Sequence, residues 1–132
     1  MMIADFKVGQ QLENITLPPV SRLDLIKYAG ASGDYNPIHT IDDEAEKAEL
    51  PGIIAHGMWT MGNLSKLFSP YYDAGYIEDY SIRFKGMVFL EDVITLQADV
   101  YEINETKAAF HVRAINQDGA EVVKGTAVFR II

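Results

Sequence analysis

An α+β fold, an antiparallel sheet wrapped on one long apolar helix, is predicted by three features of the chain. Ile53 to Phe68 is apolar nearly all round, with only Asn63, Ser65 and Lys66 as strongly polar interruptions, so a helix there must be buried. From Tyr76 the pattern changes to a period of two, which returns in Val93–Ile103, Ala108–Ile115 and Val122–Ile131. Short turn signals at Asn104–Thr106 and Gln117–Gly119 join the last three runs, so those strands form an antiparallel meander. With 132 residues and 48% hydrophobic content, residues 1–132 read as a single domain able to bury about two-thirds of its unfolded surface.

Each element follows from its own residues. Val8 and Gly9 open a polar start, and Pro18 and Pro19 demote Ile15–Val20 to an edge strand or connector. Ser21, with Asp24 three residues on, is a helix-start signal, and the pattern predicts a helix over Arg22–Ser32. Gly33 allows positive φ and Pro37 disfavours helical geometry at Asn36, so this helix ends at the intervening turn. Asp42 and Asp43 are candidate caps for a short second helix through Leu50, broken by Pro51 and Gly52. In the first long strand, Tyr76, Glu78, Tyr80, Ile82 and Phe84 fall on one face and Ile77, Asp79, Ser81, Arg83 and Lys85 on the other. A small sheet leaves edge strands unpaired, and pairing with a second copy, a homodimer, is the expected remedy.

Composition excludes several classes of function. Eleven Lys and Arg against 19 Asp and Glu give a formal charge of −8, which opposes wrapping nucleic acid or lying on an anionic membrane. With no cysteine there is no disulfide, zinc-thiolate site or thiol nucleophile, and a reducing cytoplasm is the expected setting. Met1–Val8 carries Asp5 and lacks a long apolar core, and so reads as neither a secretion signal nor a membrane anchor.

The stretch from Tyr28 to Ala45 carries the chemistry. Asp34 and His39 flank Asn36 and Pro37 on one tight turn, where a carboxylate and an imidazole can converge. Such a pair can take, hold and return a proton near neutral pH, and so activate a water without a metal. Taken alone, an Asp and a His around Asn-Pro are more often turn and cap residues than catalysts.

Tyr28, Ser32, Gly33, Asp34, Asn36, Pro37, Ile38, His39 and Ala45 together resemble the signature of the MaoC-like hydratases, the (R)-specific enoyl-thioester hydratases and (R)-3-hydroxyacyl dehydratases. Ile54, Ala55, His56, Gly57 and Met58 are similar to a second block of that family. The resemblance covers nearly the whole chain. It implies a hotdog fold, a dimer, and reversible hydration of trans-2-enoyl thioesters, carried by coenzyme A (CoA) or an acyl carrier protein, with no further cofactor. In that chemistry water attacks C3, a proton reaches C2, and charge builds on the thioester oxygen. Asp34 is the implied general base. His39 holds the water and exchanges the second proton. The Gly57 N–H, near the start of the core helix, is the candidate oxyanion donor.

Competing readings attach to the supporting residues. Asn36 either holds the loop or contacts the water, or is a plain turn former. Ser65 stands where some family members support the aspartate with a serine; a serine bonded to its own helix backbone is the alternative. Met58, Trp59, Met61 and Phe68 are candidates to line an acyl tunnel, against ordinary core packing. His56 reads as a structural hydrogen-bonder and His111 as a surface side chain. The three histidines lack the spacing of a helical zinc site, and on that ground a metal is rejected. Arg83, Lys85, Lys107, Lys124 and Arg130 are candidates to meet CoA phosphates or an acidic carrier protein, against simple solvated strand faces. Two other activities remain on the same fold: a non-catalytic acyl-thioester-binding domain or stabilising half of a heterodimer, and a thioesterase.

Overall fold

In the computed structural model, which describes residues 2–132, a five-stranded antiparallel sheet curls around one central helix. Met1 lies outside the described residues. The helices are α1 (Arg22–Ser32), α2 (Asp42–Lys47) and α3 (Gly57–Leu64). The strands are β1 (Ile15–Thr16), β2 (Gly75–Phe84), β3 (Thr95–Ile103), β4 (Lys107–Ile115) and β5 (Glu121–Ile131), in the spatial order β1-β3-β4-β5-β2. β3, β4 and β5 form the expected meander, and the proline-bounded β1 is an edge strand. The other edge is β2, ten residues long and paired only with β5.

Several boundaries follow local chemistry. α1 starts where Ser21 Oγ accepts the Asp24 N–H at 3.1 Å. α2 stops at Lys47, short of Leu50, because Glu49 takes positive φ. Asp42 and Asp43 lie in its first turn beside the positive end of the helix dipole, and Ile41 holds the cap position without a side-chain bond.

The central helix differs more from the pattern. It begins at Gly57, because Ile53–Ala55 is extended: Ile54 bridges to Phe89, and the Ala55 N–H donates to the Val88 carbonyl at 2.7 Å. Beyond Leu64 it continues as a 3₁₀ segment, Ser65–Tyr71. Nor is it buried all round. Thr60, Leu64, Leu67 and Phe68 face the sheet, whereas Met58 is 56% exposed.

A bulge at Glu78 makes the second correction. Ile77 pairs with Phe129 and Asp79 with Val128, so Glu78 is the extra residue and the alternation changes face. Ile77, Tyr80 and Ile82 therefore pack on the core, while Tyr76 and Glu78 are exposed. The Glu78 carboxylate takes Lys107 and Arg130, each at 3.0 Å.

Phe68 joins the helix to the sheet. Its ring meets Phe110 edge-on at 5.1 Å and stacks on Phe129 at 6.3 Å, and all three are fully buried. Truncating Phe68 removes a fully buried ring and its contacts with two others, so Phe68→Ala should lower unfolding free energy by about 3–5 kcal/mol in urea titration.

Candidate active site

Three overlapping side-chain turns carry the chain out of α1. Gly33 caps the helix at φ +77°, and the Ser32 hydroxyl donates to the Tyr28 carbonyl at 2.7 Å. Ser32 Oγ accepts from the Asp34 N–H at 3.1 Å. Asp34 Oδ1 then accepts from the Asn36 N–H, and Asn36 Oδ1 from the Ile38 N–H, each at 3.2 Å. Pro37 opens the 3₁₀ turn Pro37–His39, where its missing N–H costs nothing. Asn36 thus holds the loop as a cap.

This ladder aims Asp34 and His39 at each other. His39 is buried, with Nδ1 2.7 Å from the Ile54 carbonyl. A carbonyl only accepts, so Nδ1 carries the proton and Nε2 is left to face Asp34 Oδ2 at 3.9 Å. That separation is beyond a direct hydrogen bond. The Asp34 side chain is 51% exposed, so the gap opens to solvent.

His56 lies behind the pair. It is 1% exposed, and its Nε2–H donates to the Asp34 carbonyl at 3.1 Å. Its ring stacks on His39 at 3.9 Å and meets Tyr28 edge-on at 4.8 Å. Burial lowers its pKa, opposed by the bond to the Asp34 carbonyl; the His39 charge lowers it further, while the Asp34 carboxylate raises it. Its buried Nδ1 has no hydrogen-bond partner. The structural reading of His56 anticipates a hydrogen bond but not this junction with both members of the pair; the signal available was its place beside Gly57 in the second block.

Gly57 follows His56 as the first residue of α3, where backbone amides have no intrahelical acceptor. A Cβ there would stand 2.9 Å from the Phe84 ring, so glycine permits the close approach of β2. The Tyr80 hydroxyl, on the same strand, donates to the Met61 carbonyl at 2.6 Å and ties β2 to the helix.

The remaining candidates lie elsewhere. The Ser65 hydroxyl donates to the Gly62 carbonyl of its own helix at 2.6 Å and makes no bond to Asp34, which corrects the supporting role. Met58, the second residue of α3, is half exposed rather than packed in the core. His111 is a surface residue stacked on Tyr101 at 4.2 Å.

The ground on which a metal was rejected does not hold, because the fold gathers ligand atoms of Asp34, His39 and His56 within 4.8 Å of one another. Against a metal stand two ring nitrogens committed to carbonyls and a third, His56 Nδ1, sealed among protein atoms. Among the described residues no helix is long and apolar enough to cross a membrane.

Comparison with known proteins places this geometry in context. The MaoC like domain family model matches residues 5–121. The fatty acid synthase beta subunit TOXC of Cochliobolus carbonum is 35% identical over 104 residues, 76% of this chain but 5% of that protein's length. The 3-hydroxybutyryl-CoA dehydratase of Methylorubrum extorquens is 28% identical over 131 residues, 96% of this chain and 82% of its own. Among solved structures, unliganded R-hydratase PhaJ1 from Pseudomonas aeruginosa superimposes with TM-score 0.88 at 28% identity, covering 97% of this chain and 83% of that one. The likeness extends to the hotdog architecture, a sheet wrapped on a central helix.

The lowered pKa of His56 gives a signed expectation for stability. The unfolded chain binds a proton below about pH 6.5 that the buried ring refuses, so this contribution is full above that pH and lost as pH falls. In urea titrations from neutral to acidic pH, His56→Gln should show a shallower loss than the wild type. Equal slopes would remove His56 from the account.

Proposed function

The chain belongs to the MaoC-like dehydratase family, and from that premise we propose that it reversibly hydrates trans-2-enoyl thioesters to (R)-3-hydroxyacyl thioesters. The observation that carries the proposal is the 3.9 Å gap between His39 Nε2 and Asp34 Oδ2, with the His39 proton held on the opposite nitrogen by Ile54. Two acceptors then face one solvent molecule. A water there donates one hydrogen to each and turns a lone pair toward C3 of the substrate. Asp34 takes one proton as C3–O forms and the double-bond electrons move toward the thioester oxygen, and it returns that proton to C2 as the carbonyl re-forms, while the hydrogen held by His39 Nε2 stays on the new hydroxyl. Dehydration is the reverse. The Gly57 N–H, at the positive end of α3, stabilises the oxygen while it carries charge.

The enzyme acts as a homodimer in this proposal. Met58, Tyr72, Tyr76, Phe84 and Met87 are between 46% and 56% exposed on α3, on β2 and beside them, along the unpaired edge. A second copy would cover this apolar surface and the free backbone groups of β2 together. Sedimentation should give twice the mass of the chain, and a monomer at micromolar concentration would reject the dimer.

Crotonyl-CoA supplied to the protein should lose its conjugated thioester absorbance without release of free thiol, and a chelator should leave the rate unchanged. Release of thiol would instead favour a thioesterase. Asp34→Asn keeps an oxygen for the Asn36 N–H but removes the base, so turnover should fall by about 10²–10⁴-fold with the thermal midpoint unchanged. Full activity in that variant would eliminate the mechanism.

A further inference from the structure

Of the five basic residues that the sequence offers for phosphates, the structure neutralises three. Lys107 and Arg130 share Glu78, and Lys85 reaches Glu121 at 3.4 Å. Arg83 and Lys124 are different. They are directly opposed in the β2–β5 register, both are exposed, and among the described residues neither has a carboxylate partner. The next cation in the row, Arg113 on β4, also lies opposite Lys124 but is held by Asp99 and Gln97, each at 2.8 Å. Like charges directly opposite one another destabilise a sheet, and a chain with 19 acidic residues had ample means to separate them. A local arrangement that opposes stability marks a place where something else is selected.

That place has a shape. Arg83, Lys124 and Lys85 line an open groove of about 440 Å³ on the outward side of β2 and β5, with Ser81 and Thr126, also opposed in register, beside them. Two free cations and two hydroxyls make a donor set for phosphate oxygens. The groove also adjoins the candidate site: Phe84, between Arg83 and Lys85, faces the opposite way and lies against Gly57. One strand end thus presents an anion groove outward and the wall of the site inward.

Resting on the hydratase reading above, we propose that Arg83 and Lys124, assisted by Lys85, bind the phosphate groups at the nucleotide end of a CoA thioester, and so make CoA the carrier. Its pantetheine arm leads from the groove around the end of β2 to the site at Gly57. An acidic carrier protein is the weaker occupant, because its broad surface would meet a chain of net charge −8, whereas a nucleotide meets only the local cluster.

The test compares wild type with Arg83→Gln/Lys124→Gln. Binding of adenosine 3′,5′-bisphosphate by calorimetry should weaken about tenfold, and the preference in kcat/KM for crotonyl-CoA over crotonyl-N-acetylcysteamine, which lacks the nucleotide, should fall by about the same factor. Raising salt should erode both in the wild type more than in the variant. Loss of the like-charge contact should leave the thermal midpoint equal or higher, and Lys124→Glu, which supplies Arg83 with a carboxylate, should weaken binding further. Unchanged binding and preference would overturn the proposal, as would a loss confined to the carrier-protein substrate. If the wild type proves inert toward crotonyl-CoA yet binds the bisphosphate through these residues, the groove stands and the hydratase reading fails.

Discussion

Geometry at the candidate site depends above all on one buried contact, the Nε2–H of His56 on the Asp34 carbonyl, seconded by His39 Nδ1–H on the Ile54 carbonyl. The turns from Ser32 to His39 are closed by local bonds and set their own internal shape, but such bonds do not say where the turn sits on the domain. His56 does. It is the residue before α3, so fixing its ring against Asp34, His39 and Tyr28 fixes the acid and the imidazole relative to the end of the core helix. The bond is placed where water cannot compete for it, and there an unmade partner costs more than the net worth of the bond.

Local signals in the chain were legible to the extent that local physics decides them. Ser21, Gly33 and the Asp118-Gly119 turn act within a few residues, and Arg22–Ser32 has the bounds its caps predict. The β3–β4–β5 meander was equally readable, because alternation and short turns leave few other topologies. What escaped was decided at long range. Ile53–Ala55 has the apolar character of a buried helix, yet Val88 and Phe89 draw it into extended pairing. The inward face of β2 changes at a bulge that no alternation count reveals, since Glu78 marks it only through Lys107 and Arg130.

At the site, the proximity of Asp34 and His39 could be read because both lie on one turn. The stack of His39 on His56 could not, because it joins residues on separate segments. For the same reason a test of metal binding by helical spacing was too narrow. Ser65 shows the converse: of its two readings the structure has the local one, the hydroxyl turned to the Gly62 carbonyl, a partner always within reach inside a helix.

The self-closed form of the turn also bears on where such a domain can be used. Side-chain oxygens of Ser32, Asp34 and Asn36 satisfy alternate amides within seven residues, Ser32 to Ile38, and the long-range ties go to Ile54 and His56, at the mouth of the domain's own core helix. Nothing in that bracing calls on the chain termini. A unit braced in this way can be spliced into a far larger polypeptide without rebuilding its working corner, and TOXC, in which the matched segment is one-twentieth of the whole, is the arrangement that such portability allows.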